Sequence, residues 1–298
     1  CLHPVAWMGS MIGWLRRVCP TDNWFTCLLW GAGITVGGVC MLIVLGIACE
    51  HLFLRSLNGN SGFASLVLNL LLNALVLKCC FGIRSLWQAA DSVNDALRSS
   101  DLSDARHQLA YHLVSRDVDN LDESEISAAT IESVAENTSD SVIAPFFFFL
   151  VAGVPGALVY RYINTCDAML GYREGSLEWL GKVPARVDDL ANLAPARITA
   201  VMMMLARLPA FGRLTTAMRV WWRDAGKTAS PNAGHPMSVA AGLLGVRLEK
   251  AGHYVLGESL RAPCQSDITA MNWLFGRTVF LAGAISSLAL IACARLSQ

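Results

Sequence analysis

Charge is what this chain has least of. Of its 298 residues only 15% are charged and 54% are hydrophobic, where a soluble domain carries roughly 25% charged. That scarcity excludes disorder, a collagen-like fibre and a small disulfide scaffold. It leaves a membrane protein with apolar side chains for several spans. Net charge is missing as well: 23 Lys and Arg balance 23 Asp and Glu, so charge offers no argument for a nucleic-acid partner. There is no C-x-x-C among the ten cysteines, and Cys27, Cys40, Cys49, Cys79 and Cys80 sit in or beside apolar runs. They read as small hydrophobes, not as metal ligands or a secreted framework. H-E-x-x-H is absent, and His107 and His112 stand five apart in a polar stretch, so zinc is not indicated. Gly226-Lys227-Thr228 resembles the tail of a phosphate-binding loop, but the leading glycine would fall at Trp221. No nucleophile elbow, signal peptide, internal repeat or low-complexity tract is visible. The first residue is Cys1 and not Met, so further natural N-terminal residues are expected.

What is there begins with long apolar runs. Residues 24–48 carry no charge and are long enough to cross a hydrocarbon core of roughly 30 Å as a helix. Inside this run Gly33-x-x-x-Gly37 offers a small-residue surface for close helix approach. A second span is expected at 63–83, where Lys78 can snorkel, and a last one at 273–290 with Arg277 near its start. The run 143–160 contains Gly153-Val154-Pro155-Gly156, which should kink or break a helix. Two readings compete there: one kinked span, or two half-helices that enter and leave on the same side. Basic residues flank the run on both sides (Arg98, Arg106 and Arg116 before; Arg161, Arg173, Lys182 and Arg186 after), which favours the re-entrant form. The stretch 198–211 holds Met202, Met203 and Met204 but also Arg207, and reads as an interfacial helix or one end of a tilted span. The expected architecture is therefore all-α: one polytopic membrane-embedded helical bundle over 1–298, with polar helical loops and a broken segment.

The polar residues are segregated. Residues 91–140 hold twelve of the 23 acids against three arginines, whereas 161–227 hold ten bases against six acids. Four blocks within these segments could carry chemistry. In 126–145 nothing breaks a helix before Pro145, and Asp122 or Ser124 would cap its start. At 100° per residue, Glu132, Glu136 and Asp140 share one face, with Asn137 alongside. Like charges one turn apart repel by roughly 0.2–0.5 kcal/mol per pair, and this row runs into apolar sequence where water is scarce. A carboxylate row there suits a hard cation such as Mg²⁺, which takes oxygen ligands and shares them with phosphates. The plainer alternative is a solvated acidic face.

Asn164-Thr165-Cys166-Asp167, followed by Gly171-Tyr172-Arg173, leaves the apolar run through Arg161. Asn164 and Asp167 could share a cation, and Arg173 could hold a phosphate or carboxylate; a capping turn with a snorkelling arginine is the bland alternative. Arg186-Val187-Asp188-Asp189, with Asn192 and Arg197 beyond, makes one wall of a metal site with counter-charge, or a local ion-pair network. Ser230-Pro231-Asn232-Ala233-Gly234 is a turn whose backbone N–H groups suit an anion or a polar ligand edge, although such turns are common.

Together and in this order these blocks resemble the CobD/CbiB family, the membrane-embedded adenosylcobinamide-phosphate synthases of cobalamin biosynthesis. The match runs from His3-Pro4-Val5-x-Trp7-x-Gly9 through Ser115-Arg116-Asp117, Glu132-x-x-x-Glu136-Asn137-Thr138-x-Asp140 and Ala144-Pro145. It continues through Asn164-Thr165-x-Asp167-x-Met169-x-Gly171-Tyr172, Arg186-x-Asp188-Asp189-x-x-Asn192-x-x-Pro195-Ala196-Arg197 and Ser230-Pro231-Asn232-Ala233-Gly234 to about Gly245-Val246-Arg247. The resemblance implies joining a propionate carboxyl of adenosylcobyric acid, a corrinoid, to aminopropanol as its O-phosphate, through an amide bond. It implies ATP with Mg²⁺, a site in the bacterial cytoplasmic membrane, and association with itself or with other cobalamin-pathway enzymes.

On that reading Glu132, Glu136, Asn137, Asp140, Asp188 and Asp189 are the expected catalytic set, with Glu136, Asp140 and Asp188 for Mg²⁺. Asn164, Asp167, Tyr172, Arg173, Arg186, Asn192, Arg197, Ser230 and Asn232 are the expected substrate contacts. The acidic and basic segments should then gather at one pocket. Three departures stand out: the family's leading apolar segment and Gly-Asp-Pro element are absent, His235-Pro236 replaces a usual Trp-Pro, and 248–270 matches loosely apart from Tyr254. An AmpE-like membrane sensor, built on a related scaffold, is the non-catalytic alternative. The full set of acidic, Arg-x-Asp-Asp and Ser-Pro-Asn-Ala-Gly blocks favours the synthase, and a transporter, which should show paired broken helices, ranks third.

Overall fold

The computed structural model describes residues 4–20, 23–58, 63–171, 177–208 and 211–296. Its helices are, in chain order, α1 (Pro4–Arg17), α2 (Trp24–Asn58), α3 (Phe63–Cys79), α4 (Ile83–Arg98), α5 (Leu102–His112), α6 (Glu123–Thr138) and α7 (Ala144–Leu170). There follow α8 (Leu177–Leu180), α9 (Lys182–Ala191), α10 (Leu193–Ala206), α11 (Leu214–Asp224), α12 (Gly234–Leu244) and α13 (Gln265–Leu296). The strands β1 (Leu248–Lys250) and β2 (Tyr254–Leu256) form one small antiparallel hairpin.

Four helical segments are long and apolar enough to cross a membrane: Trp24–Leu52, Phe63–Arg98, Glu123–Leu170 and Gln265–Ala292. Their outer surfaces expose Leu45, Leu71, Phe280 and Leu288, which is costly in water and natural in lipid. The chain is an all-α, multi-pass helical membrane protein, as its composition demands. The described chain divides into two compact units, Cys1–Phe81 with Ala144–Ala191, and Gly82–Ile143 with Asn192–Gln298.

The first unit contains α1–α3 and α7–α9. Its core includes Ile12, Ala157, Tyr162, Cys166 and Leu170. Close approach of helices requires glycine, but at positions other than Gly33 and Gly37. A Cβ on either of those would meet nothing within 4 Å, whereas one on Gly46 would come within 2.6 Å of the Pro155 Cα. Added Cβ atoms on Gly38 and Gly31 would run into the Tyr162 ring and the Leu180 carbonyl. The contact ridge of α2 is therefore Gly31, Gly38 and Gly46, and the Gly33-x-x-x-Gly37 face lines an open apolar groove with Trp30, Met41 and Met11. At the ridge the buried Tyr162 hydroxyl donates to the Ile34 carbonyl at 2.9 Å.

The break expected from Gly-Val-Pro-Gly falls at Ala152 (φ −142°, ψ 25°) and Gly153 (φ 62°, ψ −154°). The two arms of α7 then turn back on each other. Phe148 and Tyr160 stack at 5.1 Å between centroids, although in a straight helix residues that far apart are separated by about 18 Å along the axis. Val154 opens the second arm, and its N–H donates to Oε1 of Glu50 on α2 at 3.0 Å. A carboxylate thus caps the new helix start.

The second unit contains α4–α6, α10–α13 and the hairpin. Asp122, and not Ser124, caps α6, forming a reciprocal capping box with Glu125 at 2.8 Å in each direction. The expected uninterrupted helix up to Pro145 is corrected by a π-helical turn over Ser139–Ile143. The helices α4 and α13 are joined by amide and acid side chains: Asn272 donates to Asp91 at 2.8 Å, and Gln265 and Thr269 both reach Asn94. The hairpin pairs Lys250 with Tyr254 across a turn containing Gly252 at φ 72°. Its base is clamped by Asp224, whose carboxylate accepts from the Gly257 amide (2.8 Å), Arg223 (2.7 Å) and Lys227 (2.8 Å).

Candidate functional site

Glu132 is the most confined acid of the predicted row. The middle of α6 is buried on all sides from Ile126 to Ala135, and Glu132 is only 5% exposed. It is not part of a solvated face. The Arg116 guanidinium lies 3.9 Å from its Oε2, beyond hydrogen-bond reach, and its buried Oε1 has no hydrogen-bond partner. The Tyr254 phenol and the Lys250 ammonium, both from the hairpin, and the Glu136 carboxylate surround it. Burial, reinforced by Glu132 and Glu136, pushes the Tyr254 phenol well up, so it stays protonated; its hydroxyl points to the Met237 sulfur at 4.0 Å and leaves Oε1 of Glu132 unserved. A carboxylate buried beside two cations and a phenol can hold a ligand ammonium or accept its proton.

Glu136, in the last turn of α6, and Asp140, within the π turn, are both half-buried. Between them Asn137 is tied locally, donating to the Ser133 carbonyl at 2.9 Å and accepting from the Ser141 hydroxyl at 3.4 Å. In the same unit α10 packs against both the π turn and α12, and α12 packs against α6. These contacts bring the α10 residues near the 230–234 turn. Asn192, at the start of α10, is buried. Arg197 donates to its own helix at Leu193 (2.6 Å) and faces His235, just after the turn. The His235 ring accepts from the Trp221 indole on Nδ1 at 2.9 Å. Burial, then Arg197, lowers its pKa, which keeps it neutral with the proton on Nε2. Inside the turn the Asn232 amide donates to the Ser230 hydroxyl at 3.2 Å, and Gly234 has no room for a Cβ against the Ala225 carbonyl.

In the first unit Asp167 and Asp189 lie near one another. Arg186 reaches Asp189 at 3.9 Å from an exposed position, Asp188 is buried, and Asn164 accepts from Arg161 at 3.5 Å. Tyr172 and Arg173 lie outside the described residues. Of the residues predicted for Mg²⁺, Glu136 and Asp140 belong to the second unit and Asp188 to the first. Among the described residues no three His, Cys, Asp or Glu side chains gather closely enough to form a metal cage.

The family model described as CobD/Cbib protein matches residues 1–273. The chain belongs to the CobD/CbiB family. The family match passes beyond Arg247 and takes in the hairpin that carries Lys250 and Tyr254. A cobalamin biosynthesis protein CobD of Dehalococcoides mccartyi is 41% identical over 261 residues, covering 87% of this chain and 81% of that protein. Its counterpart in Klebsiella pneumoniae is 34% identical over 302 aligned positions, covering 97% and 88%. A probable cobalamin biosynthesis protein CobD of Methanothermobacter thermautotrophicus is 39% identical over 264 residues, covering 88% and 81%. No solved structure matches. Membership in the CobD/CbiB family places the chain in cobalamin biosynthesis. Arg116, Lys250, Tyr254 and His235 were not among the site residues expected from sequence. Arg116 left a trace there in the Ser-Arg-Asp block, Tyr254 as an isolated match and His235 only as a departure from the usual Trp-Pro; Lys250 left none.

Proposed function

We propose that this CobD/CbiB protein is an adenosylcobinamide-phosphate synthase. It joins a propionate carboxyl of adenosylcobyric acid to the amine of aminopropanol O-phosphate at the cytoplasmic face of a bacterial membrane. The observation that carries the reading is Glu132: a buried carboxylate with one unpartnered oxygen, flanked by cations and a phenol, in a family of cobalamin biosynthesis. A carboxylate and an ammonium do not condense appreciably in water, so the acid is activated first. A corrinoid carboxylate oxygen attacks the γ-phosphorus of ATP and ADP leaves. The amine then attacks the acyl carbon and phosphate leaves with the bridging oxygen. The amine arrives protonated, and Glu132 takes that proton, which makes it the general base.

Mg²⁺ uses one or two carboxylates and completes its shell with water and substrate phosphates. Glu136 and Asp140, four residues apart and both half-buried, are the carboxylates for that role; among the described residues no three His, Cys, Asp or Glu side chains gather into a full protein cage. Bound there, the metal would offset the charge of the nucleotide. Arg197 and the 230–234 turn supply donors for phosphate or for the peripheral carboxylates of the corrinoid. The test is reconstitution in liposomes with adenosylcobyric acid, aminopropanol O-phosphate and Mg-ATP. The expected result is a corrinoid heavier by the amine less water, with one ADP and one phosphate per amide. No product under these conditions would overturn the proposal and favour a sensor of the AmpE type.

A further inference from the structure

We propose that Glu132, Arg116 and Lys250 form a docking site for a small molecule carrying an ammonium and a phosphate a few bonds apart. The inference rests on the synthase reading and assigns its amine substrate to particular residues. A carboxylate so deeply buried requires a cationic or donor partner for each oxygen. Arg116 approaches only Oε2, at 3.9 Å, while Oε1 has no hydrogen-bond partner. An ammonium supplies the donor that Oε1 lacks. Arg116 and Lys250 are not consumed by this carboxylate: Arg116 keeps 29% of its side chain exposed, and Lys250 is half-exposed at the end of β1. They are the cations nearest an ammonium held on Glu132, so a phosphate joined to that amine by two carbons and an ester oxygen falls to them. A guanidinium holds phosphate through two parallel N–H donors, and an ammonium adds a point charge. The consequence is selectivity: the phosphorylated amine is preferred over the free amino alcohol because of Arg116 and Lys250, whereas Glu132 serves both.

The experiment uses the full chain in detergent. Initial rates are measured with aminopropanol O-phosphate and with free aminopropanol, together with calorimetric titration of aminopropanol O-phosphate. Arg116→Gln should raise KM for the phosphorylated amine about tenfold or more beyond any change in KM for free aminopropanol, the cost of losing charged hydrogen bonds to the phosphate. Lys250→Ala, at a half-exposed hairpin end that does not disturb the core, should act in the same direction. Glu132→Gln should lose turnover with both amines. An active protein in which Arg116→Gln and Lys250→Ala affect both amines alike, or neither, would overturn the docking site and leave the synthase reading standing. A wild-type protein that makes no product, yet binds aminopropanol O-phosphate and loses that binding in both variants, would sink the synthase reading and keep the docking site. No product and no binding would end both.

Discussion

Removing the Glu50 side chain should loosen the broken helix α7 before anything else in the first unit. Gly153 ends the first arm with a positive φ, so the first amides of the second arm have no helical acceptor. One of them, Val154 N–H, is served by Glu50 Oε1 at 3.0 Å. In Glu50→Ala that donor is left unpaired among Pro155, Ala157 and Leu158, at a cost of about 1–3 kcal/mol. Loss of negative charge at a helix start adds about 0.3–1 kcal/mol. Glu50→Gln keeps an acceptor oxygen and should lose only the charge contribution. Glu50→Ala should therefore melt lowest, with Glu50→Gln between it and wild type, when purified protein is heated in detergent and followed by helical circular dichroism. Limited proteolysis should report the same order by cleavage near 150–154. Equal stability of Glu50→Ala and wild type, or a Gln variant weaker than the Ala variant, would refute the capping argument.

Other outcomes follow from the same reasoning. Gly46→Leu should fail to accumulate in the membrane, because Pro155 lies 2.6 Å from where its Cβ would be, while Gly33→Leu should be tolerated; expression and monodispersity of the two variants decide it. Asp224 is fully buried and all four of its contacts are donors. An Asn amide would turn N–H against N–H, so Asp224→Asn should cost about 2–3 kcal/mol, limited because Arg223 and Lys227 can return to water. Burial alone would raise the Asp224 carboxyl, but hydrogen bonds from Arg223, Lys227 and the Gly257 amide hold it well below the usual carboxylate range. The clamp is thus at full strength above the unfolded value of about 4 and weakens as pH falls below it. Between neutral pH and about pH 3 the opening of the hairpin, followed by proteolysis, should therefore depend less on pH in Asp224→Asn than in wild type, and an unchanged pH dependence would refute this assignment. Glu136→Gln and Asp188→Asn should lower turnover without preventing membrane insertion, read by mass of the corrinoid product; full activity in both would misplace the acids.

The long apolar runs and the break at Gly153 were legible because both depend on local sequence alone: a span needs uninterrupted length, and Gly-Val-Pro-Gly removes donors and favours positive φ. The capping box at Asp122 and Glu125 has the same local character. Which glycines meet a neighbour was not legible, since that depends on how α2 is rotated against α7. Gly33-x-x-x-Gly37 has the right spacing, but Gly31, Gly38 and Gly46 do the packing. The π turn at 139–143 has no glycine or proline to announce it. The surroundings of Glu132 were hidden for a further reason. Lys250 and Tyr254 stand on three-residue strands too short for any period-2 pattern, and they reach α6 only through the fold. The acids themselves were visible as a row; the burial that singles out Glu132 was not.

The amide-forming chemistry can be followed atom by atom with adenosylcobyric acid carrying ¹⁸O in its free carboxylate. Given Mg-ATP and aminopropanol O-phosphate, the reconstituted protein should transfer one ¹⁸O from each consumed carboxyl into inorganic phosphate, and Glu132→Gln should release little of it. Product formed with unlabelled phosphate, or label release undiminished by Glu132→Gln, would contradict the account.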